Sequence, residues 1–158
     1  MAMKYRAFAW NFLLLGLVFL ADQWTKQMAI DGLSNPTRLI EVTPFLNFLL
    51  AWNSGVSFGL FQDNAPWVMI AVTAAITIGF LIWMWRTRDR VLGIALALVV
   101  GGAVGNLVDR LRHGAVTDFI DMHAYGYHWP VFNLADAAIT IGAVLLLIDS
   151  VFGGKKSS

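Results

Sequence analysis

Apolar residues along the chain fall into four long runs that are separated by shorter polar stretches. Each run is close to the roughly 20 residues that a helix needs to cross a hydrocarbon core about 30 Å thick. Two polar stretches, approximately residues 31–65 and 111–132, remain outside the runs. We therefore predict a mainly α-helical membrane protein with one integral membrane domain over residues 1–158. The predicted spans cover approximately residues 8–28, 66–85, 91–110 and 133–152.

The first run also has features of a secretory signal peptide, because Lys4 and Arg6 precede an apolar stretch. Three further runs follow it, and the helical pattern continues through Met28 and Ile30. We therefore favour a retained first span over a signal peptide that is removed.

The two polar stretches between spans have different patterns. Residues 38–43 are bounded by prolines and have the composition of a short strand. Residues 45–52 are too short to span, and they favour a strand at the membrane interface, where Trp and Phe are common. We expect an outer loop or helix between spans three and four.

Small residues in the third predicted span indicate close helix packing. Gly101 and Gly105 are four residues apart and so lie on one face of a helix. This spacing allows another helix to approach closely.

Composition supports the membrane assignment. Hydrophobic residues make up 58% of the chain and charged residues 13%, whereas about a quarter of the residues in soluble domains are charged. The net charge of +1 gives no indication of a nucleic acid partner. The absence of cysteine excludes a disulfide framework, a thiol nucleophile and a cysteine–zinc site.

Basic residues mark one side of the predicted membrane. With four spans, both termini and the connection between spans two and three share one side, which the positive-inside rule assigns to the cytoplasm. Most acidic residues fall on the opposite side. The basic residues on the cytoplasmic side of the predicted membrane are Lys4, Arg6, Arg86, Arg88, Arg90, Lys155 and Lys156.

Two groups of polar residues lie near predicted span ends. Asp22 and Lys26 are four apart and can pair on one helix face; the alternative is an interfacial lysine that reaches water. Asn106, Asp109 and Arg110 also share a face. Charged groups cost about 2.5–3.5 kcal/mol each at the bilayer centre, so they tend to face protein or water. The alternative for this second group is a helix cap with an internal ion pair.

Asp118 and Asp136 are the strongest candidates for a reacting pair. Asp136 follows the plausible N-cap Asn133 by three residues, and consecutive antiparallel spans bring Asp118 to the same depth. Two carboxyl groups that share one proton can divide the roles of general base and general acid. The alternative for Asp136 is an acid that the helix dipole favours.

A second motif is weaker. Residues 55–59 match the G-x-S-x-G elbow of serine hydrolases, but that motif requires a large α/β sheet, which this chain cannot build. The histidines at 113, 123 and 128 are only weak evidence for a metal-binding site and are better explained as interfacial side chains. We predict neither a metal nor a cofactor.

Short polar motifs follow one another along the chain in a specific order. They are Asp22-x-x-Thr25-Lys26, Asn53-x-Gly55, Gly105-Asn106-x-x-Asp109-Arg110, and Val116-x-Asp118-Phe119 with Phe132-Asn133-x-Ala135-Asp136. Each motif alone is modest, but together they cover nearly the whole chain. In this order, on four spans, they resemble the bacterial lipoprotein signal peptidases, the type II signal peptidase family.

The resemblance implies an aspartic endopeptidase with Asp118 and Asp136 as its catalytic dyad. The substrate class would be prolipoproteins that carry diacylglycerol on a cysteine, cut before that cysteine to release the signal peptide. A small extracytoplasmic β-sheet at the membrane surface would form from the first outer segment. The implied substrate-binding and supporting residues are Asp22, Lys26, Asn53, Gly55, Asn106, Asp109, Arg110 and Asn133.

The resemblance also implies a setting and partners. The protein would be a monomer in the bacterial cytoplasmic (inner) membrane, in contact with membrane lipids, with its active site near the extracytoplasmic face. The cyclic peptide globomycin is the expected inhibitor. One departure is the Val56-Ser57 pair, where small residues, often alanine, are expected.

Two other function classes remain open at this point. Acids within a membrane also mark ion pathways, so the chain could be a transporter or proton relay. It could also be a membrane scaffold in which the acids are structural. Because the acids gather at one edge of the predicted membrane, a path through the bilayer is less favoured.

Overall fold

The computed structural model of the protein describes residues 2–34, 37–55 and 65–152. In chain order its elements are α1 (Ala2–Leu33), β1 (Leu39–Thr43), β2 (Leu46–Asn53), α2 (Ala65–Arg86), α3 (Arg90–His113), β3 (Val116–Ala124), β4 (Tyr127–His128) and α4 (Leu134–Phe152). The four helices are long and apolar enough to cross a membrane, which confirms the predicted helical architecture.

Two helices extend past the predicted spans, and local contacts explain where they end. α1 continues to Leu33, where Gln27 donates a hydrogen bond to Asp31 one turn further on, at 2.8 Å. α3 ends where Gly114 takes a left-handed conformation, with φ at +72°. The Gly114 N–H donates to the Arg110 carbonyl and so satisfies one of the last free carbonyl groups of the helix.

α3 lies at the centre of the helical bundle, in contact with α1, α2 and α4. Its buried face consists largely of small residues. Gly101 lies against the Leu15 carbonyl and Val18 of α1, and Gly102 lies against the Ala135 carbonyl of α4. A Cβ on Gly101 would lie 2.9 Å from the Leu15 oxygen, which is too close. The predicted close packing at this small-residue face is therefore confirmed.

The outward faces of the helices carry large apolar side chains. Leu20 of α1, Ile76 of α2 and Leu147 of α4 are 62%, 52% and 66% exposed. In water this apolar area would cost about 25 cal/mol per Å², whereas lipid removes that cost. The exposed faces are therefore suited to contact with hydrocarbon.

The four strands form one antiparallel sheet in the order β1-β2-β3-β4. β1 and β2 confirm the strands predicted near residues 38–43 and 45–52. β3 and β4 correct the expectation of a loop or helix between spans three and four, because that segment pairs with β2 from Asn53–Val116 to Leu46–Met122. Pairing between distant segments is not visible in a local hydrophobic pattern.

The sheet packs on the end of α1. Phe119 of β3 is 8% exposed and forms a small core with Ala29 and Leu33, against which Phe48 of β2 packs. This contact fixes the sheet at the end of the bundle where α1 and α3 finish and α4 begins. We call this the sheet end of the bundle.

Gly105→Ala is expected to destabilise the protein, and Gly79→Ala is the matched control. A Cβ on Gly105 would meet the fully buried Asp22 carboxylate, whereas nothing lies within 4 Å of a Cβ on Gly79. Overpacking costs about 1–3 kcal/mol, while replacing an unconstrained helical glycine gains about 0.5–1 kcal/mol. Thermal unfolding in one detergent measures both. Equal melting temperatures for the two variants would contradict the packing described here.

Candidate functional site

Polar side chains gather at the sheet end of the bundle and are unusually well buried. Because buried polar and charged groups are costly unless they are paired, each needs a partner in the fold. Carboxylates, amides, one ammonium group and one hydroxyl group make up this set. Its buried members are Asp22, Lys26, Asn106, Asp109, Thr117, Asp118 and Asn133.

Asp136 is held at the start of α4 by a reciprocal pair of hydrogen bonds. The Asp136 N–H donates to Asn133 Oδ1 at 2.9 Å, and the Asn133 N–H donates to Asp136 Oδ2 at 3.2 Å. This capping box confirms the predicted N-cap. Asn106 of α3 donates from Nδ2 to the other oxygen, Asp136 Oδ1, at 2.8 Å. Both oxygens of this carboxyl group are therefore fixed in place.

Asp118 comes from β3 and is only 2% exposed. Asn133 Nδ2 donates to Asp118 Oδ1 at 2.6 Å, and Asn53 Nδ2 donates to Asp118 Oδ2 at 2.9 Å. Asn133 therefore binds Asp118 through its side chain and Asp136 through its backbone. The shared partner brings the two carboxyl groups of the predicted pair into one site.

A tight turn sets the orientation of the Asn53 amide. The Gly55 N–H donates to Asn53 Oδ1 at 2.9 Å, which leaves Asn53 Nδ2 free to face Asp118. Gly55 has φ at +74°, a conformation that favours glycine. The Asn-x-Gly spacing follows from this turn. Residues 56–64 are outside the described part of the chain, and with them the Val56-Ser57 pair and the rest of the hydrolase-like motif.

Burial raises the pKa of the Asp118 carboxyl above its usual range, because loss of solvent disfavours the charged form. Hydrogen bonds from Asn53 and Asn133 oppose the rise in pKa, and the negative charge of Asp136 adds to it. A carboxyl with a raised pKa beside a second carboxyl is suited to hold a proton that the pair shares.

A buried ion cluster adjoins the two carboxyl groups. Lys26 Nζ lies 2.9 Å from Asp22 Oδ2 and 3.3 Å from Asp109 Oδ2. It also donates to Asn106 Oδ1 at 2.8 Å. The predicted Asp22–Lys26 pair is confirmed. The alternative of a lysine that reaches water is wrong, because the Lys26 side chain is 2% exposed.

The two carboxylates of this ion cluster also bind backbone groups of other elements. Asp22 Oδ1 accepts from the Ala135 N–H at 2.9 Å, so α1 satisfies a free amide in the first turn of α4. Asp109 Oδ2 accepts from the Thr117 N–H at 2.8 Å, which joins the end of α3 to β3. Gln23 Nε2 donates to Asp109 Oδ1 at 3.0 Å. The Asp22–Ala135 and Asp109–Thr117 bonds position the elements that carry the proposed reacting pair.

Arg110 lies at the edge of the site and is half-buried. Its charge acts on the carboxylates of Asp136, Asp118 and Asp109, and its Nη1 donates to the Asn106 carbonyl at 3.4 Å. Among the described residues, its buried Nε has no hydrogen-bond partner. Because an unpaired buried donor is costly, Arg110 is suited to donate to a ligand.

The sheet contains a second buried carboxylate, Asp121, to which the sequence analysis gave no role. Asn47 Nδ2 donates to Asp121 Oδ2 at 2.9 Å, and His128 Nδ1 lies 2.8 Å from Asp121 Oδ1. The hydrogen bond from His128 holds the pKa of Asp121 below its usual range. The His128 ring stacks on His123 with centroids 4.9 Å apart. Only the β2–β3 register brings Asn47 to Asp121, so the linear sequence gives no sign of this cluster.

All the predicted site residues belong to one connected network of hydrogen bonds and ion pairs. Within the described ranges, no group of three or more His, Cys, Asp or Glu side chains is arranged to hold a metal ion. A cavity of about 830 Å³ is lined by Asp136 and by apolar residues that include Phe132, Ala137 and Ile141. The site can therefore support acid–base chemistry beside an apolar surface. Its network members are Asp22, Lys26, Asn53, Gly55, Asn106, Asp109, Arg110, Asp118, Asn133 and Asp136.

Comparison with known proteins gives a consistent result. The family model described as signal peptidase (SPase) II matches residues 14–152. A lipoprotein signal peptidase from Methylobacterium radiotolerans is 47% identical over 146 residues, which cover 88% of this chain and 84% of the relative. One from Acinetobacter baumannii is 42% identical over 154 residues, covering 92% and 87%.

Solved structures agree with the sequence comparison. A bacterial membrane enzyme solved at 2.3 Å is similar, with a TM-score of 0.80 and 28% identity, over 95% of this chain and 92% of that chain. A second bacterial membrane enzyme, solved at 1.9 Å, has a TM-score of 0.79 and 29% identity over 95% of each chain. The described fold is therefore one already seen in membrane enzymes.

His128→Phe is expected to lower the stability of the fold at neutral pH, and the loss of stability is expected to be smaller at acidic pH. Loss of the hydrogen bond to buried Asp121 should cost about 1–3 kcal/mol. The pKa of Asp121 is lower in the folded protein than in the unfolded chain, where it is about 3.9. The contact therefore stabilises the fold at pH values above the unfolded-state pKa. This stabilisation is lost as the pH falls through the folded-state pKa. Melting temperatures of wild type and variant should therefore converge below about pH 4.

The control for this experiment is His113→Phe, because the His113 ring packs on Trp52 with centroids 5.3 Å apart. Its effect on the melting temperature should not follow the titration of Asp121. A penalty for His128→Phe that stays constant from neutral to acidic pH would contradict the assigned role of the Asp121–His128 contact.

Proposed function

This chain belongs to the signal peptidase II family, and we propose that it is an aspartic endopeptidase that acts on diacylglyceryl-modified prolipoproteins. It would cut before the lipidated cysteine and so release the signal peptide. Family membership supports a bacterial multi-pass membrane protease that removes signal peptides from prolipoproteins. The buried pair Asp118 and Asp136 supports the aspartic mechanism.

The observation that carries the mechanism is the shared contact of the two carboxyl groups with Asn133. Its side chain donates to Asp118 at 2.6 Å, and its backbone N–H donates to Asp136 at 3.2 Å. The negative charge of Asp136 raises the pKa of Asp118, so the two carboxyl groups interact. Two coupled carboxyl groups can activate water without a metal or a nucleophilic side chain.

We assign the shared proton to Asp118, because Asp118 is buried in the sheet and its pKa is raised. Asp136 would then take a proton from a water molecule, and the water oxygen would bond to the scissile carbonyl carbon. Asp118 would donate its proton to the carbonyl oxygen. When the tetrahedral intermediate collapses, the C–N bond breaks and the leaving nitrogen takes the proton held by Asp136. One hydroxyl group of the intermediate returns its proton to Asp118 as the new carbonyl group forms, which restores the starting state of the pair.

Arg110 and the cavity beside Asp136 support binding of the substrate. The charge of Arg110 acts on both carboxylates of the acidic pair, and its Nε, which has no partner among the described residues, is suited to a substrate carbonyl. Ala137 and Ile141 of α4 extend the apolar lining from Asp136 along the helix. A lipid-anchored substrate remains at the membrane interface, because each buried CH₂ group contributes about 0.8 kcal/mol to membrane binding. The reacting carboxyl groups would therefore have to lie at that depth.

The orientation follows from charge. We propose that the protein lies in the cytoplasmic membrane with both termini in the cytoplasm. Seven of the eleven basic residues belong to the two terminal segments and to the connection between α2 and α3, on the side opposite the acidic network. The sheet end would then face outward, where lipoprotein precursors emerge. We also propose that the enzyme acts as a monomer and that globomycin inhibits it.

A proton-relay function receives less support. The described members of the acidic network all lie at the sheet end, and α2 carries no charged residue before Arg86. A path through the bilayer would need polar groups at successive depths. Family membership also supports a protease rather than a scaffold.

Asp118→Asn and Asp136→Asn are each expected to lower cleavage of a diacylglyceryl prolipoprotein by at least about a thousandfold, because either change removes one partner of the proton exchange. Asp31→Asn is the matched control, since Asp31 is exposed at the end of α1 and bonded only to Gln27 among the described side chains. Cleavage rates of the purified proteins are compared in one detergent, and equal melting temperatures show that the variants are folded. Normal turnover by either dyad variant would overturn the mechanism.

A precursor with diacylglycerol on its cysteine is expected to be cut, and the same precursor without the lipid is expected to be cut far more slowly. The reason is that the acyl chains place the scissile bond beside the carboxyl pair. Cleavage rates on the two precursors in lipid vesicles, with and without globomycin, measure this. Equal rates on both precursors would contradict the proposed substrate class.

A further inference from the structure

Lys26 contacts a neutral amide as well as two carboxylates. Its Nζ lies 2.9 Å from Asp22 Oδ2 and 3.3 Å from Asp109 Oδ2, which already compensate its charge. The shortest of its contacts is nevertheless the 2.8 Å hydrogen bond to Asn106 Oδ1. Charge compensation alone does not require this contact, so it points to a further role.

The two ends of the Asn106 amide differ chemically. The amide oxygen accepts hydrogen bonds and the amide nitrogen donates them, whereas an ammonium group can only donate. Lys26 therefore requires the Asn106 oxygen on its side, which turns Asn106 Nδ2 toward Asp136 Oδ1 at 2.8 Å. Asn133 Nδ2 supports the same orientation, because it donates to Asn106 Oδ1 at 3.3 Å.

We propose that Lys26 is a positioning residue that acts through Asn106, aiming an N–H at Asp136 so that this carboxylate is oriented as the base that takes the proton from water. The inference rests on the proposed function and extends it by naming what selects the base. Asp118 receives its own donors from Asn53 and Asn133, so its geometry does not depend directly on this contact.

Charged groups from four elements face the reacting pair. α1 supplies Asp22 and Lys26, α3 supplies Asp109 and Arg110, and β3 and α4 supply the pair itself. Within this set the cation of Lys26 favours ionised carboxylates, and its charge opposes the rise in the pKa of Asp118. Loss of the charge should therefore raise the pKa of Asp118, the proposed general acid, and move the alkaline limb of the kcat/KM profile to higher pH.

The chain contains no cysteine, so Lys26→Cys introduces a unique thiol that can be alkylated. Aminoethylation of this thiol recreates a lysine-like ammonium group, whereas propylation gives a neutral chain of the same length. Both adducts are formed in unfolded protein, which is then refolded into detergent and compared at equal melting temperature.

The propyl adduct is expected to lose about 100-fold in kcat with less than threefold change in KM, and the aminoethyl adduct is expected to recover most of the loss. Such a split is the signature of an interaction used in the transition state. Equal kcat values for the two adducts, or an unshifted alkaline limb in the propyl adduct, would overturn the proposal.

A double-mutant cycle with Asn106 tests the route of the effect. If Lys26 acts through Asn106, then Lys26→Met and Asn106→Ala should be non-additive in kcat, because either change removes the same aimed N–H. Independent, multiplying losses would contradict the proposal. If Lys26→Met does not fold, Lys26→Met with Asp109→Asn replaces it in the cycle, since this pair removes one positive and one negative charge.

Gln23→Leu is the control for a merely structural role. Gln23 donates to Asp22, Asp109 and the Gly105 carbonyl at 3.3, 3.0 and 3.3 Å, but none of its hydrogen bonds within the described residues goes to Asn106. This variant should lower the melting temperature while kcat stays within threefold of wild type. A kcat loss as large as that of the propyl adduct would show that weakening the ion cluster alone explains the result, and so would overturn the proposal.

Cleavage of the lipidated precursor by wild-type protein and by Asp136→Asn separates a wrong role for Lys26 from a wrong proposed function. If wild-type protein cuts the lipidated precursor and Asp136→Asn does not, the dyad stands whatever Lys26 does. If wild-type protein does not cut the lipidated precursor, the proposed function itself fails.

Discussion

The structure depends on one constraint, that a carboxylate withdrawn from water must be paired. Leaving a buried charge without a partner costs several kcal/mol, and the sheet end of the bundle buries Asp22, Asp109 and Asp118 almost completely. Each is satisfied by a donor from a different element. The hydrogen bonds that make burial tolerable therefore also join α1, α3, α4 and the sheet into one site. The same contacts thus serve stability and the proposed chemistry. Glycine is needed at position 105 because the Asp22 carboxylate lies directly against the backbone there.

Much of this arrangement could be predicted from the sequence because the signals are local or periodic. The hydrophobic runs specify the helices, and a spacing of four places Asp22 beside Lys26. Asn133 and Asp136 are three residues apart, the spacing of a capping box, so the start of α4 was predictable from side-chain chemistry alone. The order of the motifs identified the family before any distance was known.

Other features depend on contacts between distant segments. The strand at Val116 exists because it pairs with Asn53, and the Asp121–Asn47 contact depends on the same register. A local pattern cannot show that Asn133 would bind both carboxyl groups of the proposed pair, since one contact uses its side chain and the other its backbone. The Lys26 contact with Asn106 joins residues 80 positions apart, so sequence spacing could not reveal it.

We propose that Asp118 and Asp136 hold one proton between them. Carbon-13 NMR of aspartate-labelled protein tests this most directly, with Asn variants used to assign the two carboxyl signals. We expect the Asp118 carboxyl to stay protonated at a pH where exposed aspartates are ionised. We also expect Asp136→Asn to lower the pKa of the Asp118 carboxyl, because a neighbouring negative charge is removed. Titration of both carboxyl groups independently, at ordinary values, would contradict it.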